Sequence, residues 1–285
     1  MKTPHWSVMA PPLITTVNGN FAVVEQDPVG ALNPTESIES MGRLNSWWTH
    51  VDDTGQERRP PLPTNSVLGR SIRTFKPRRS RITKSQQHAI DNPLDLLIEY
   101  APEPLATIND WPTAETKLFI DIGFGNGITT LDLARKDPCN SYLAIDVHTP
   151  GVGDLLHEIQ VHGMTNIRVM ESDAIAVLEN MIEPESVSGV FTLFPDPWPK
   201  ARHHKRRIVQ PSIMHLIHSR LVPGGFWQLA TDWQEYAESI SEQFEAQQDS
   251  WSGGITSRPE RPLTHYEQRA LTEYRTITDF SFIRR

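Results

Sequence analysis

The chain has 285 residues, enough for one large domain with extensions, and its hydrophobic share of 38% is modest beside 23 prolines. The single cysteine, Cys139, excludes an intrachain disulfide and any cysteine-based zinc or iron–sulfur centre, and it fits a reducing compartment. A net charge of −8 argues at first sight against a nucleic-acid binder, although the distribution of charge matters more than its sum.

No apolar run approaches the roughly 18–20 residues of a membrane span. The early stretch Val8–Val24 is interrupted by Pro11, Pro12, Asn18, Gly19 and Asn20, which makes a poor signal-peptide core. A cytoplasmic protein with no membrane association is expected. Residues 1–69 lack sustained periodicity and mix proline, glycine, asparagine, threonine and acids, so they are read as a proline-rich N-terminal extension without stable order. Trp47 and Trp48 are its exception. They could dock on something or could be solvated. Residues 70–285 are the expected folded domain. It opens on Arg70–Lys84, where Arg70, Arg73, Lys76, Arg78, Arg79, Arg81 and Lys84 give seven cations and no acid. A solvated basic loop and a nucleic-acid contact are both open for this segment.

From Lys117 short apolar runs alternate with helical patterns, the signature of a parallel sheet covered by helices. Strands are expected at Leu118–Ile122, Tyr142–Val147, Ile167–Met170, Val187–Phe194 and Phe226–Thr231. Helices are expected at Ile128–Arg135, near Val152–His162, and at Ala174–Met181, Ile208–Leu221 and Gln234–Gln247. Pro223-Gly224-Gly225 reads as a turn, and Phe280–Arg284 as a last edge strand. Five βα units in series make an α/β fold with an open, doubly wound, mostly parallel sheet. Ligands bind such sheets beyond the carboxyl ends of the strands.

Asp121-Ile122-Gly123-Phe124-Gly125-Asn126-Gly127 stands at the first such end. Glycines at a strand-to-helix turn let a ligand approach backbone where side chains would collide. The dinucleotide fingerprint wants its third glycine at position 128, which is Ile128; Gly127 precedes it. Gly123, Gly125 and Gly127 therefore suit S-adenosylmethionine, which has no pyrophosphate, although a structural tight turn remains open. Asp146 ends the second strand, where a carboxylate can accept both hydroxyls of a ribose. Asp173 follows the third strand and could meet an adenine amino group or cap the next helix. The fourth strand runs into Phe194-Pro195-Asp196-Pro197-Trp198-Pro199-Lys200. Three prolines fix the backbone around Asp196 and remove amide donors. Trp198 could stack on a base, and Lys200 could meet a phosphate. Lys200, Arg202, Lys205, Arg206 and Arg207 form a second basic cluster with His203 and His204. Asp232 follows the fifth strand and could contact a ligand or cap a helix. Thr264-His265-Tyr266-Glu267 reads, taken alone, as an ordinary helix start with Thr264 as cap. His215 and His218 share a helix face, but no third ligand is placed, so no metal site is expected. A nicotinamide-dependent oxidoreductase and a non-catalytic RNA-binding protein are the competing readings of the same residues.

Taken together these segments resemble the bacterial TrmB-type tRNA (guanine-N7-)-methyltransferases, from about Arg70 to the C-terminus. Phe194-Pro195-Asp196-Pro197-Trp198 with Lys200-Ala201-Arg202-His203 is highly specific to that family. Thr83–Gln87, Ala144–Val152, Asp173-Ala174, Ala230–Ala237 and Thr264–Arg269 extend the similarity. The resemblance implies a class I, Rossmann-like methyltransferase fold and methylation of the guanosine at position 46 in the variable loop of tRNA. It implies S-adenosylmethionine bound by Asp121, Asp146, Asp173 and Asp196, with Asp196 catalytic. It implies substrate contacts by Lys200, Asp232, Thr264, His265, Tyr266 and Glu267. The family usually has Glu at the positions of Asp121 and Asp146, and Lys at that of His265. Its eukaryotic relatives work with a partner subunit. This chain resembles the bacterial type, which has no obligate protein partner.

Overall fold

The computed structural model describes residues 73–75, 81–105, 111–113 and 115–285, together with the backbone of four short strands nearer the N-terminus. Of those, Ile14–Val17 pairs antiparallel with Asn20–Val23, and His50–Val51 with Glu57–Arg58. The rest of the 1–69 extension, including Trp47 and Trp48, lies outside the described residues. So do Arg70, Lys76, Arg78 and Arg79 of the basic segment. Contacts divide the chain into Met1–Pro60 and Pro61–Arg285. The account below concerns the second of these.

Seven strands form one sheet. They are β1 (Leu118–Ile122), β2 (Ser141–Asp146), β3 (Ile167–Glu171), β4 (Val187–Leu193), β5 (Leu221–Thr231), β6 (Trp251–Thr256) and β7 (Thr278–Arg284). The order across the sheet is β6-β7-β5-β4-β1-β2-β3. β1 to β5 run parallel with one another, while β7 is antiparallel to both β5 and β6. This is the class I methyltransferase arrangement that the sequence led one to expect. The strand order reverses beside β1, so the ends of β1 and β4 diverge and open a crevice.

Both faces of the sheet are covered because the strands are apolar at alternate and intervening positions alike. In β2, Leu143 and Ile145 point into a layer with α4 (Ala174–Asn180), α5 (Pro211–Arg220) and α6 (Gln234–Glu245). Tyr142 and Ala144 point into the other layer, with α1 (Lys84–Asp91), α2 (Ile128–Lys136) and α3 (Thr149–His162). α1 begins in a capping box, in which Thr83 accepts from the Gln86 amide and Gln86 accepts from the Thr83 amide. Gln86 also donates to Asp154 of α3 at 2.7 Å. No helix of the described residues is long and apolar enough to cross a membrane.

Three expectations are corrected. α5 begins at Pro211 rather than Ile208, because proline suits the first helical turn, where its missing donor costs nothing. Pro223-Gly224-Gly225 lies inside β5 as a bulge, between the pairings Val187↔Leu221 and Gly189↔Phe226. β7 is not an edge strand. It is covered by β6, whose Gly253 allows close approach. A Cβ at Gly253, whose φ is +111°, would stand 2.2 Å from the Ser281 carbonyl oxygen.

Candidate functional site: a cleft at the ends of β1, β2 and β4

β1 delivers the chain into the glycine turn, with φ of +76°, +66° and +76° at Gly123, Gly125 and Gly127. These left-handed values disfavour any side chain. The turn is also tightly packed. A Cβ on Gly151, in the first turn of α3, would come within 1.9 Å of the Gly125 carbonyl oxygen. α3 can therefore press against the turn only while glycine stands at 151.

Asp146, at the end of β2, is clamped by backbone donors. The Gly125 amide donates to Oδ2 at 2.9 Å, and the amides of Val147 and His148 donate to Oδ1 at 2.7 and 3.0 Å. Burial pushes its pKa above the ordinary carboxylate value, and the three amides oppose that rise. Asp121 is more deeply buried, 4% exposed, and accepts from the Thr130 hydroxyl at 2.6 Å. Burial raises its pKa to about 7; the Thr130 hydrogen bond opposes this, and the charge of Asp146 adds to it. Asp173 caps α4 through the Ile175 amide at 3.0 Å, so the helix-cap alternative is realised for it. Burial raises its pKa as well, opposed by the Ile175 amide and by the charge of Arg73.

These elements bound a cleft of about 180 Å³. Gly123, Gly125, Asp146, Asp196 and Tyr266 line it, with Ile122, Ile145 and Val147 as apolar walls. Asp121, Asp173, Lys200, Asp232, Thr264, His265 and Glu267 are not part of that lining. The Asp196 loop is stiffened at both ends. Phe194 and Trp198 hold φ of +54° and +45°, values that cost a non-glycine residue about 1 kcal/mol each. Arg207, 3% exposed, secures the loop from behind. It donates to the Pro197 carbonyl at 2.9 Å and to both Glu235 carboxylate oxygens at 3.1 and 2.5 Å, and lies 4.7 Å from the centre of the Tyr236 ring. Lys200 is exposed at the start of the 3-10 turn Ala201–Arg206.

On the other side of the cleft, α7 (His265–Thr272) starts in a capping box of Thr264 and Glu267. His265 and Tyr266 are exposed. The Glu267 carboxylate is fully buried and turned inward. Arg258 donates to it at 2.6 Å and Arg261 at 3.2 Å, and Arg261 also bonds Asp279 at 2.6 Å. Asp232 does not cap α6, whose N-cap is Trp233 with no side-chain bond. It pairs instead with Arg275.

The "Methyltransf_4" family model, described as "Putative methyltransferase", matches residues 115–280. A tRNA (guanine-N(7)-)-methyltransferase of Streptomyces avermitilis is 40% identical over 251 residues, covering 82% of this chain and 84% of the relative. One of Nitrosospira multiformis is 43% identical over 217 residues, covering 75% and 94%. The chain belongs to the tRNA (guanine-N(7)-)-methyltransferase family.

In this methyltransferase several cleft residues escape sequence reasoning. Thr74 and Phe75, from the start of the basic segment, line the cleft. Ser172 lines it too; it is 1% exposed, and its Oγ has no partner among the described residues. Nothing in residue type marks Thr74 or Phe75. Ser172 could have been found from its place one residue past β3. Trp198, expected as a stacking surface for a base, carries the Arg206 guanidinium 3.6 Å from its ring centre.

Proposed function

We propose that this chain transfers a methyl group from S-adenosylmethionine to N7 of the guanosine at position 46, in the variable loop of tRNA, acting in the cytoplasm without an obligate protein partner. The observation that carries the reading is the cleft itself, where a clamped carboxylate at a glycine turn and the rigid Asp196 loop share one space. The chemistry of the lining fits the methyl donor. Asp146 keeps spare lone pairs for vicinal hydroxyls, and the unpartnered Ser172 Oγ calls for a polar group. Ile122, Ile145 and Val147 offer apolar contact. Asp121 and Asp173 lie outside that lining; Asp121 holds Thr130 of α2, and Asp173 holds the start of α4.

When bound, the cofactor supplies an electrophilic methyl group. Guanine N7 carries an in-plane lone pair and no proton at neutral pH, so the chain needs no base to create the nucleophile. Its residues must hold the base in line with the methyl group, and orientation of this kind supplies several kcal/mol. The base gains positive charge as it is methylated. Asp196, fixed at the cleft by three prolines, favours that charge, and a carboxylate there can accept from guanine only through N1–H and N2–H of its Watson–Crick edge. Tyr266 bounds the same space. Lys200, Asp232 and Thr264 to Glu267 form or support the RNA side, with Glu267 acting through the helix it holds. The Arg70–Lys84 segment supplies contacts to phosphates, which position the RNA without reading sequence.

The test is incubation with unmodified tRNA and labelled S-adenosylmethionine, followed by cleavage mapping at 7-methylguanosine. Label at the variable loop is expected. Label elsewhere, or none, overturns the substrate.

A further inference from the structure

Three consecutive backbone carbonyls at the start of the basic segment are held by two side chains of the Asp196 loop. Trp198 Nε1 donates to the Thr74 carbonyl at 3.0 Å. Arg206 Nε donates to the Arg73 carbonyl at 2.9 Å, and its Nη2 to the Phe75 carbonyl at 2.5 Å. The Arg206 guanidinium also stacks 3.6 Å from the Trp198 ring centre, so each side chain holds the other in place for this grip. Two of the three gripped residues, Thr74 and Phe75, wall the cleft.

An arginine in a cluster with Lys200, Arg202 and Lys205 would ordinarily be assigned to phosphate. Its fork is occupied here. Both donor groups used by Arg206 point to carbonyls two residues apart, a geometry that a planar guanidinium spans and a single ammonium does not. We infer that Trp198 and Arg206 are positioning residues that buckle the RNA-capturing segment across the methyl-donor cleft, so that Thr74 and Phe75 complete its wall before RNA arrives. The inference rests on the cleft being the methyl-donor site. It goes further in assigning Arg206 to cofactor retention and not to RNA charge.

The experiment measures binding of S-adenosylhomocysteine to the whole chain by calorimetry, without RNA, and then KM for tRNA and kcat. Arg206→Ala removes two charge-assisted hydrogen bonds, so affinity is expected to fall about ten- to a hundredfold. Arg206→Lys keeps the charge but loses the fork, and is expected to show most of that loss. Lys205→Ala removes a neighbouring exposed cation and is expected to leave S-adenosylhomocysteine affinity within about twofold of the parent, whatever it does to KM for tRNA. Should Arg206→Ala fail to fold, Trp198→Phe keeps a stacking ring and loses the bond to Thr74, with a severalfold weaker affinity expected. If the Arg206 variants bind S-adenosylhomocysteine like the parent and differ only in KM for tRNA, the buckle is wrong and Arg206 belongs to the RNA surface. If the parent chain itself does not bind S-adenosylhomocysteine, it is the methyl-donor reading that fails.

Discussion

Replacing Asp121 by Asn tests whether the end of β1 carries a buried acid that resists ionisation. Asp121 is 4% exposed and its one side-chain partner is the Thr130 hydroxyl, 2.6 Å away. Burial lifts its pKa from an ordinary 3.8 to about 7, against the pull of Thr130 and with the push of Asp146. Because the folded value lies above the unfolded one, the folded chain holds a proton that the unfolded chain has already lost between those limits. The associated stability is complete below pH 3.8 and drains away as pH rises to about 7. At about 1.4 kcal/mol per pH unit the full loss is about 4 kcal/mol, of which roughly two-thirds falls between pH 5 and pH 8. Asn cannot ionise and still accepts from Thr130. Asp121→Asn should therefore gain on the parent by about 2–3 kcal/mol as pH is raised over that interval. Guanidinium titrations of both chains at pH 5, 6, 7 and 8 measure the difference. A gap that stays constant across the series would refute the argument.

Four further outcomes follow from the site. Asp196→Ala and Asp196→Asn should lower kcat about a hundredfold by removing a carboxylate that favours the charge developing on the base; near-normal turnover of both at saturating tRNA excludes that role. Glu267→Gln leaves Arg258 and Arg261 facing a neutral amide in a buried setting. A loss of roughly 3 kcal/mol in chemical denaturation is expected, and a loss confined to KM for tRNA would instead make Glu267 a direct contact. Gly151→Ala must push α3 away from the Gly125 carbonyl, so S-adenosylhomocysteine affinity should fall with a stability loss of about 1–3 kcal/mol; an unchanged affinity contradicts the packing of that turn. Replacing Arg78, Arg79 and Arg81 together by Ala should weaken tRNA binding and flatten its dependence on salt, and no change in either removes the segment from the interface.

The sheet was legible because β1 to β5 are nearly unbroken runs of apolar residues, each followed by a helix with its own period. Ile120, Leu143 and Ile145 need burial on one face while Tyr142 and Ala144 need it on the other, and only a doubly covered parallel sheet gives both. β6 was hidden for the opposite reason. Trp251-Ser252-Gly253-Gly254-Ile255-Thr256 has glycines where strands usually carry branched side chains, so its pairing with β7 depends on a tertiary neighbour that no local pattern announces. Missing β6 in turn left β7 looking like an edge.

At the site, position was legible and occupancy was not. Asp146 and the glycine turn could be placed because a strand end fixes where a side chain and a backbone turn must go. Arginine carries no such address. Arg206 and Arg207 read in the sequence as one stretch of positive charge with Lys200, Arg202 and Lys205, yet both are committed to partners within the fold. A signal for this lay nearby. Pro195, Pro197 and Pro199 each remove an amide from the loop, so its carbonyls have fewer local donors and draw on side chains from outside it. Arg207 meets that need at the Pro197 carbonyl, and its charge is balanced by Glu235 from the next helix. Glu267 follows the same logic. The Thr264-x-x-Glu267 spacing announced a capping box, and Arg258 and Arg261 a few residues earlier are the cations that a buried glutamate there requires. The motif that looks most like an RNA surface is thus partly the scaffold that holds Asp196 still. A charge-reversal scan of the cluster should therefore divide in two, with Lys200, Arg202 and Lys205 changing the salt dependence of RNA binding and Arg206 and Arg207 changing cofactor affinity or folding.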